Sequence, residues 1–264
     1  MTNGSKTALV TGASSGIGAA FARRLAAEGY DLVLVARRKE RLEDLAAELE
    51  KQHSIRAEIL VADLSKPDGV ERVGEHIGSL SNLEILINNA GFGGGGRFFE
   101  IDLARQLDMI HVHITATARL CRAALPRMVE RKRGSIINVS SVVAFGGSPR
   151  TAMYCSTKSW MVVFSQAIAR ELRDTGVRVQ ALCPGLTRSE FHEVPGYDHF
   201  NSSQAPDWLW MSSEAVVEAS LKALGRKRVV CIPGFMNRLF VALLRSPLNG
   251  FVLWLVEKKR RGYS

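Results

Sequence analysis

The chain has 264 residues, 46% hydrophobic and 23% charged, with 35 Lys and Arg against 26 Asp and Glu for a formal charge of +9. That apolar content excludes a disordered protein, and 23 Gly with 8 Pro, aperiodically placed, exclude collagen or a linker array. A compact chain of this length buries about 70–75% of its unfolded surface, so a core needs neither disulfides nor a metal.

In chain order, the aliphatic run Thr7 to Val10 predicts a first strand, which ends in the glycine-rich stretch Thr11-Gly12-Ala13-Ser14-Ser15-Gly16-Ile17-Gly18. Apolar residues at helical spacing (Ala20, Phe21, Leu25) predict a helix over Ala19 to Glu28, stopped by Gly29. Asp31 to Ala36 is a second predicted strand, followed by a helix through Leu42, Leu45, Ala46 and Leu49. A third strand over Ile55 to Val61 precedes a helix from about Lys66 to Gly78, and a fourth over Leu83 to Asn88 precedes one long helix from Leu103 to Arg131. Gly134 to Ser140, a long helix over Tyr154 to Thr175, Val177 to Cys183 and a seventh strand at Val229 to Pro233 complete the series.

Nearly continuous apolar strands separated by single helices are the pattern of a parallel sheet buried on both faces. The expected fold is therefore α/β: a single-domain, Rossmann-type doubly wound parallel sheet of about seven strands with helices on both faces. Ligands are expected at the carboxyl ends of the strands.

The glycine stretch joins the first strand to the first helix, where Gly12, Gly16 and Gly18 let a phosphate approach the backbone and the helix N-terminus offers free N–H groups. Ser14, Ser15 and Ile17 complete that loop. At the end of the second strand an acidic residue would bind the ribose hydroxyls of NAD(H). Here Ala36 is followed by Arg37 and Arg38, whose guanidinium forks suit a 2′-phosphate, and this selects NADP(H), with Arg37 preferred of the two. Asp63-Leu64 after the third strand can accept from an adenine amino group, and Asn88-Asn89-Ala90-Gly91 after the fourth lets a cofactor pass close to the backbone.

Tyr154 and Lys158 are one helical turn apart and share a face. Hydride transfer to a carbonyl builds an alkoxide that must gain a proton, and a phenol is too weak an acid for this unless a nearby cation lowers its pKa. Lys158 supplies that cation, and Ser141, just past the fifth strand, can hydrogen-bond the substrate oxygen.

These motifs, with Pro184-Gly185 after the sixth strand, resemble the short-chain dehydrogenase/reductase family over about Lys6 to Thr187, and more loosely to Gly234. The resemblance implies an NAD(P)-dependent oxidoreductase acting on a CH–OH group, with Tyr154 as proton donor or acceptor, Lys158 lowering its pKa and Ser141 orienting the carbonyl. It further implies that Pro184, Gly185 and Thr187 lie beside the nicotinamide. The Ala-Arg-Arg step, with Glu40-Arg41-Leu42 after it, looks like the NADP-preferring branch that includes hydroxysteroid and 3-oxoacyl reductases. One departure is His113, which stands where the family carries an Asn supporting a water-mediated proton relay to the lysine; an imidazole here can hydrogen-bond a water, titrate near neutrality or pack as a core residue, and a working but modified relay with His113 in a catalytic part is the expectation.

The NADP-binding and catalytic domain is thus expected over 1–234. The resemblance implies a substrate lid within it at about 188–211, a stretch holding Phe191, Pro195, Tyr197 and Phe200, in which Trp208 and Trp210 either pack in the core or, as lid residues, favour a large apolar substrate. The expected function is interconversion of a ketone and a secondary alcohol on a lipid-like substrate, the alternative being a non-catalytic NADP(H)-binding sensor or scaffold. Residues 235–264 form a C-terminal apolar and basic helical extension, docking on the domain or a second subunit, with a membrane-surface anchor as the other reading.

The charge excess sits in short clusters, such as Arg131-Lys132-Arg133 and Lys258-Lys259-Arg260-Arg261, that read as solvated surface rather than a nucleic-acid groove. The four widely spaced cysteines form no metal site and read as reduced thiols, and no leader-like apolar core precedes the first strand, so a cytoplasmic chain, membrane-associated if the C-terminal segment anchors it, is the expectation; the resemblance implies a homodimer or homotetramer.

Overall fold

A computed structural model describes residues 6–193 and 206–247, with Gly250. Pro195, Tyr197 and Phe200 of the expected lid, the apolar run Phe251 to Val256 and the basic cluster Lys258 to Arg261 lie outside the described residues. Seven parallel strands, β1 (Lys6–Thr11), β2 (Tyr30–Ala36), β3 (Ala57–Val61), β4 (Leu83–Asn88), β5 (Gly134–Val139), β6 (Val177–Leu182) and β7 (Val230–Cys231), lie in the order β3-β2-β1-β4-β5-β6-β7. The order reverses between β1 and β4, and ligands of such sheets bind in the crevice beyond the carboxyl ends of the strands at that switch.

Alternate residues of each strand feed two cores. Ala8, Val10, Leu32 and Leu34 pack with α1 (Gly16–Ala27), α2 (Lys39–His53) and α7 (Ser213–Gly225) through Phe21, Leu25, Leu42, Leu49 and Val216. Leu9, Val33, Val35 and Leu86 face the other way, onto α3 (Pro67–Ser79) and α5 (Thr117–Glu130) through Val70, Ile77, Leu120 and Met128. Both faces are dry, which is why the strands read as unbroken apolar runs.

The first helix begins at Gly16, three residues earlier than the apolar spacing predicts, because the glycine loop runs straight into it and poor helix formers mask the start. The expected long helix is a continuous rod whose middle is not α: α4 (Leu103–Ile110) passes into a π-helical stretch, His111–Ala116, before α5. Such stretches concentrate at functional sites. The second long helix, α6 (Ala152–Glu171), packs beside α4. A short C-terminal helix, α8 (Phe235–Leu244), buries Val241 and Leu244 against the turn Val142–Phe145 and exposes Phe235, Met236, Leu239 and Leu243. Among the described residues no helix is long and apolar enough to cross a membrane.

A buried polar chain ties together the elements that carry the site. Asn88 Nδ2 at the end of β4 donates to Asn138 Oδ1 on β5 at 2.9 Å, and Asn138 Nδ2 donates to Ser165 Oγ on α6 at 2.9 Å. Removing the middle member strands donors and acceptors away from water. Asn138→Ala is expected to destabilise the chain by about 2–3 kcal/mol, read as a lowered urea midpoint; an unchanged midpoint would show that the chain contributes nothing.

Candidate active site

The strand ends at the switch point are held together by their own polar groups. Thr11 Oγ1 donates to Ile87 O and accepts from the backbone N–H groups of Asn89 and Ala90, each at 3.0 Å. Asn89 Nδ2 reaches back to Thr11 O at 3.0 Å and Gly12 O at 3.2 Å. Asn89 thus binds the glycine loop itself, a role its place in the sequence did not reveal. Gly12 adopts φ +65°, and a Cβ on Gly18 would stand 2.2 Å from Gly12 O, so neither position admits a side chain.

The start of α1 is electrostatically open. Its N-cap, Ser15, makes no side-chain cap bond and the first turn holds no acidic residue, so the positive end of the helix dipole has no internal counter-charge. Arg38 lies on this loop, donating to Ser14 Oγ at 2.9 Å and Ser15 Oγ at 3.0 Å. Arg37, the residue preferred from the sequence, is exposed and takes no part in this set; the chain turns at the end of β2 so that the second arginine, the N-cap of α2, is the one aimed back at the loop. Arg41, one turn into α2, joins Arg38 in binding Glu190. Asp63 is half-buried after β3, where its Oδ1 accepts from Ser65 N at 3.0 Å, and Leu64 packs in the second core. Ile17 packs from α1 against the first core.

Past β5 and β6 lie the reactive candidates. Tyr154 and Lys158 are 7% and 4% exposed, with Lys158 Nζ 5.8 Å from the Tyr154 ring centre. Lys158 Nζ donates to Val139 O at 2.9 Å, and Ser140 Oγ donates to Lys158 O at 2.7 Å, fixing the first turns of α6 to the end of β5. Among the described residues Ser141 Oγ makes only long bonds, donating to Pro184 O and accepting from Val143 N, both at 3.4 Å. Its hydroxyl is therefore free to turn toward a better partner. Pro184 O also accepts from Val142 N at 3.0 Å, joining the loops after β5 and β6. Gly185 packs on Asn237 of α8, and Thr187 Oγ1 donates to Gly185 O at 3.1 Å. Beside Tyr154 a pocket is lined by Phe98, Ile101, Met109 and Met153, with Arg105 and Arg150 among its walls. Among the described residues no cluster of His, Cys, Asp or Glu could hold a metal ion.

With this geometry in place, comparison with known proteins is decisive: a family model for short chain dehydrogenases matches residues 6–195. The chain belongs to the short-chain dehydrogenase/reductase family. It is 36% identical to a short-chain dehydrogenase from Sphingobium yanoikuyae solved in complex with NADPH, with a TM-score of 0.83 over 96% of this chain and 95% of that one. The bulky-bulky ketone specific alcohol dehydrogenase from Comamonas testosteroni is 31% identical, with a TM-score of 0.78 over 98% and 94%. Among curated relatives, a very-long-chain 3-oxoacyl-CoA reductase from Anas platyrhynchos is 28% identical over 254 residues, 93% of this chain and 78% of that protein. This short-chain dehydrogenase/reductase is thus an oxidoreductase that uses a nicotinamide dinucleotide. The open start of α1, the side-chain-free glycine cradle and the guanidinium fork beside it fit such a cofactor.

In this family member the protein itself engages both ring nitrogens of His113. Its imidazole is fully buried, Nε2 accepts from Phe92 N at 3.3 Å and Nδ1 lies 2.9 Å from Thr157 Oγ1. Thr157 Oγ1 in turn donates to Tyr154 O at 3.1 Å, so Nδ1 carries the proton and both ring nitrogens are engaged by the protein. Burial, and to a lesser degree the Lys158 charge, push its pKa well below the usual imidazole value. These contacts fit the packed reading of His113, a brace between the loop after β4 and the start of α6. His113→Asn is expected to leave the apparent pKa values of the pH–rate profile in place, and a shifted limb would show that the imidazole titrates during turnover.

Burial also acts on Lys158, lowering its pKa to about 7. An unfolded chain holds the same proton up to about pH 10.4. Between these values the unfolded state binds more protons, so stability rises with pH across that window, and below it the full cost of burying an ammonium is felt. Lys158→Met is expected to melt above the parent at and below about pH 7 and to lose that advantage as pH approaches 10.4. A melting difference that stays constant over the range would refute the assignment.

Proposed function

We propose that this enzyme is NADP(H)-dependent and interconverts a ketone and a secondary alcohol on a bulky, apolar, lipid-like substrate. The observation that carries the reading is the burial of Tyr154 and Lys158 together on α6, beside Ser141, at the carboxyl edge of the sheet that holds the glycine loop. When bound, the nicotinamide supplies or accepts the hydride. Tyr154 gives its phenolic proton to the substrate oxygen in reduction and takes it back in oxidation. A phenol near pKa 10 is a poor donor alone, and the Lys158 ammonium lowers it by favouring the phenolate. Because burial brings Lys158 itself to about 7, an anionic dinucleotide in the groove favours the charged form that this role needs. Ser141 turns its hydroxyl to the oxygen on which charge develops.

NADP(H) is supported by the absence of a carboxylate at the end of β2, by Arg38 and Arg41 at that edge, and by the NADPH in the Sphingobium relative. An apolar substrate is supported by Phe98, Ile101, Met109 and Met153 around the pocket beside Tyr154, and by the bulky-ketone and very-long-chain specificities named for two relatives. Exposed Phe99, Leu103, Leu107 and Val163 near and on the neighbouring helices α4 and α6 support pairing of two copies, and we read the outer stripe of α8 as a further subunit contact.

NADPH consumption should rise along a series of ketones of increasing apolar bulk. Tyr154→Phe is expected to cut kcat by about 10²–10⁴-fold while NADPH binding is kept. Turnover unchanged in that variant would overturn the mechanism, and NADPH binding with no turnover on any ketone would favour the sensor reading instead.

A further inference from the structure

Ser189, Glu190 and Phe191 follow the Pro184-Gly185 turn after β6 and cross three separate parts of the site. A Cβ on Gly16 would stand 2.9 Å from Ser189 Cβ, so the segment lies directly on the start of α1. The Glu190 carboxylate accepts from Arg38 Nη1 at 2.8 Å and also from Arg41, bridging two guanidinium groups. Those guanidinium groups hold the carboxyl below its ordinary range. The Phe191 ring is 6.0 Å from the Tyr154 ring. Three consecutive residues thus touch the phosphate-binding loop, the arginine pair and the proposed proton donor.

A carboxylate bridging two guanidinium groups has the charge and forked geometry of a phosphate in the same place. We propose that residues 189–191 form an autoinhibitory strap across the dinucleotide groove, with Glu190 standing in for the cofactor's 2′-phosphate as an internal ligand of Arg38 and Arg41. The proposal rests on the NADP(H) reading above and extends it. Any dinucleotide must lift Ser189 off Gly16, which breaks both Glu190 pairs. One carrying a 2′-phosphate replaces those pairs, whereas one lacking it leaves both arginines to solvent. The same displacement takes Phe191 away from Tyr154, so arrival of the phosphorylated cofactor is coupled to uncovering of the phenol. The pairs are about two-fifths exposed, so the strap is weak and reversible rather than a lock.

The test compares the full chain with Glu190→Gln, a substitution at an exposed site that does not threaten folding. Amide hydrogen exchange across 187–193 is followed without nucleotide, with 2′,5′-ADP and with 5′-AMP, and affinities for NADPH and NADH are measured. Glu190→Gln is expected to raise exchange in this segment with no nucleotide present and to tighten NADPH and NADH alike, by about two- to fivefold. In the parent, 2′,5′-ADP is expected to raise exchange to the level of the variant, and 5′-AMP at equal occupancy to raise it less. Arg41→Ala is expected to weaken NADPH while tightening NADH, because it frees the strap and removes the phosphate contact together. Exchange and affinities unchanged in Glu190→Gln overturn the strap, and tightening of NADPH alone overturns it in favour of simple charge repulsion. If 2′,5′-ADP binds the parent no better than 5′-AMP, the NADP(H) reading and the phosphate trigger fail, while exchange in the nucleotide-free variant still decides whether the strap exists.

Discussion

The site depends on keeping a lysine amine out of water. Lys158 has one backbone carbonyl, that of Val139, as its close oxygen partner and an apolar and thioether surround, so its ammonium is costly and its proton is loosely held. A surface lysine one turn from a tyrosine would be fully charged at neutrality, but water would screen it from the phenol. Burial strengthens the influence of each charge on its neighbour, and the same desolvation makes the charge conditional on what else enters the groove. The rest of the architecture serves that compromise. Two dry cores make the sheet rigid, and the Asn88–Asn138–Ser165 chain fastens α6 to the strand ends at a fixed height.

His113 fits the same logic. An imidazole with both nitrogens engaged can brace the loop after β4 against α6 without adding a second positive charge beside Lys158. A Cβ on Gly91 would come within 2.7 Å of His113 Nε2 and 3.5 Å of Lys158 Nζ, so the bare backbone of Gly91 is what gives the ring room. Neutrality is imposed by exclusion of solvent, and the ring can serve as a spacer with a defined tautomer.

Much of this was legible in the sequence, for reasons that differ by residue. The order of apolar runs and single helices dictates a parallel sheet, and the seven strands follow in register from it. Ser141, Tyr154 and Lys158 stood out because the proposed chemistry constrains both type and spacing, and all three are buried at one end of the sheet. The bracing contacts of His113 did not stand out, since they come from the Phe92 N–H and a threonine that meet the ring only after folding. Arg38 displaced Arg37 for a similar reason: which of two adjacent side chains points at a loop depends on the turn out of β2, and the two residues are chemically identical. Glu190 gave no signal at all, because its partners Arg38 and Arg41 lie about 150 residues earlier in the chain. The comparisons establish family and cofactor class, whereas the shared pattern does not fix the side chains that line the pocket, such as Met153 on α6 and Phe98.

The π-helical stretch at 111–116 has a consequence for how this rod can vary. Its wider turn holds one residue more than an α-helical path would, so each half of the rod keeps its own angular phase. Deleting a single residue there would restore ordinary α bonding and leave that phase in place, whereas a deletion within α5 would swing everything upstream by about 100° around the axis. Arg105, Gln106 and Met109 would leave the pocket wall, and Leu103 and Leu107 would be carried off the outward face of α4. Length along the α-helical parts of this rod is therefore a coupled coordinate of pocket shape and outer surface, and the wide turn is the place where a residue can be lost without altering either.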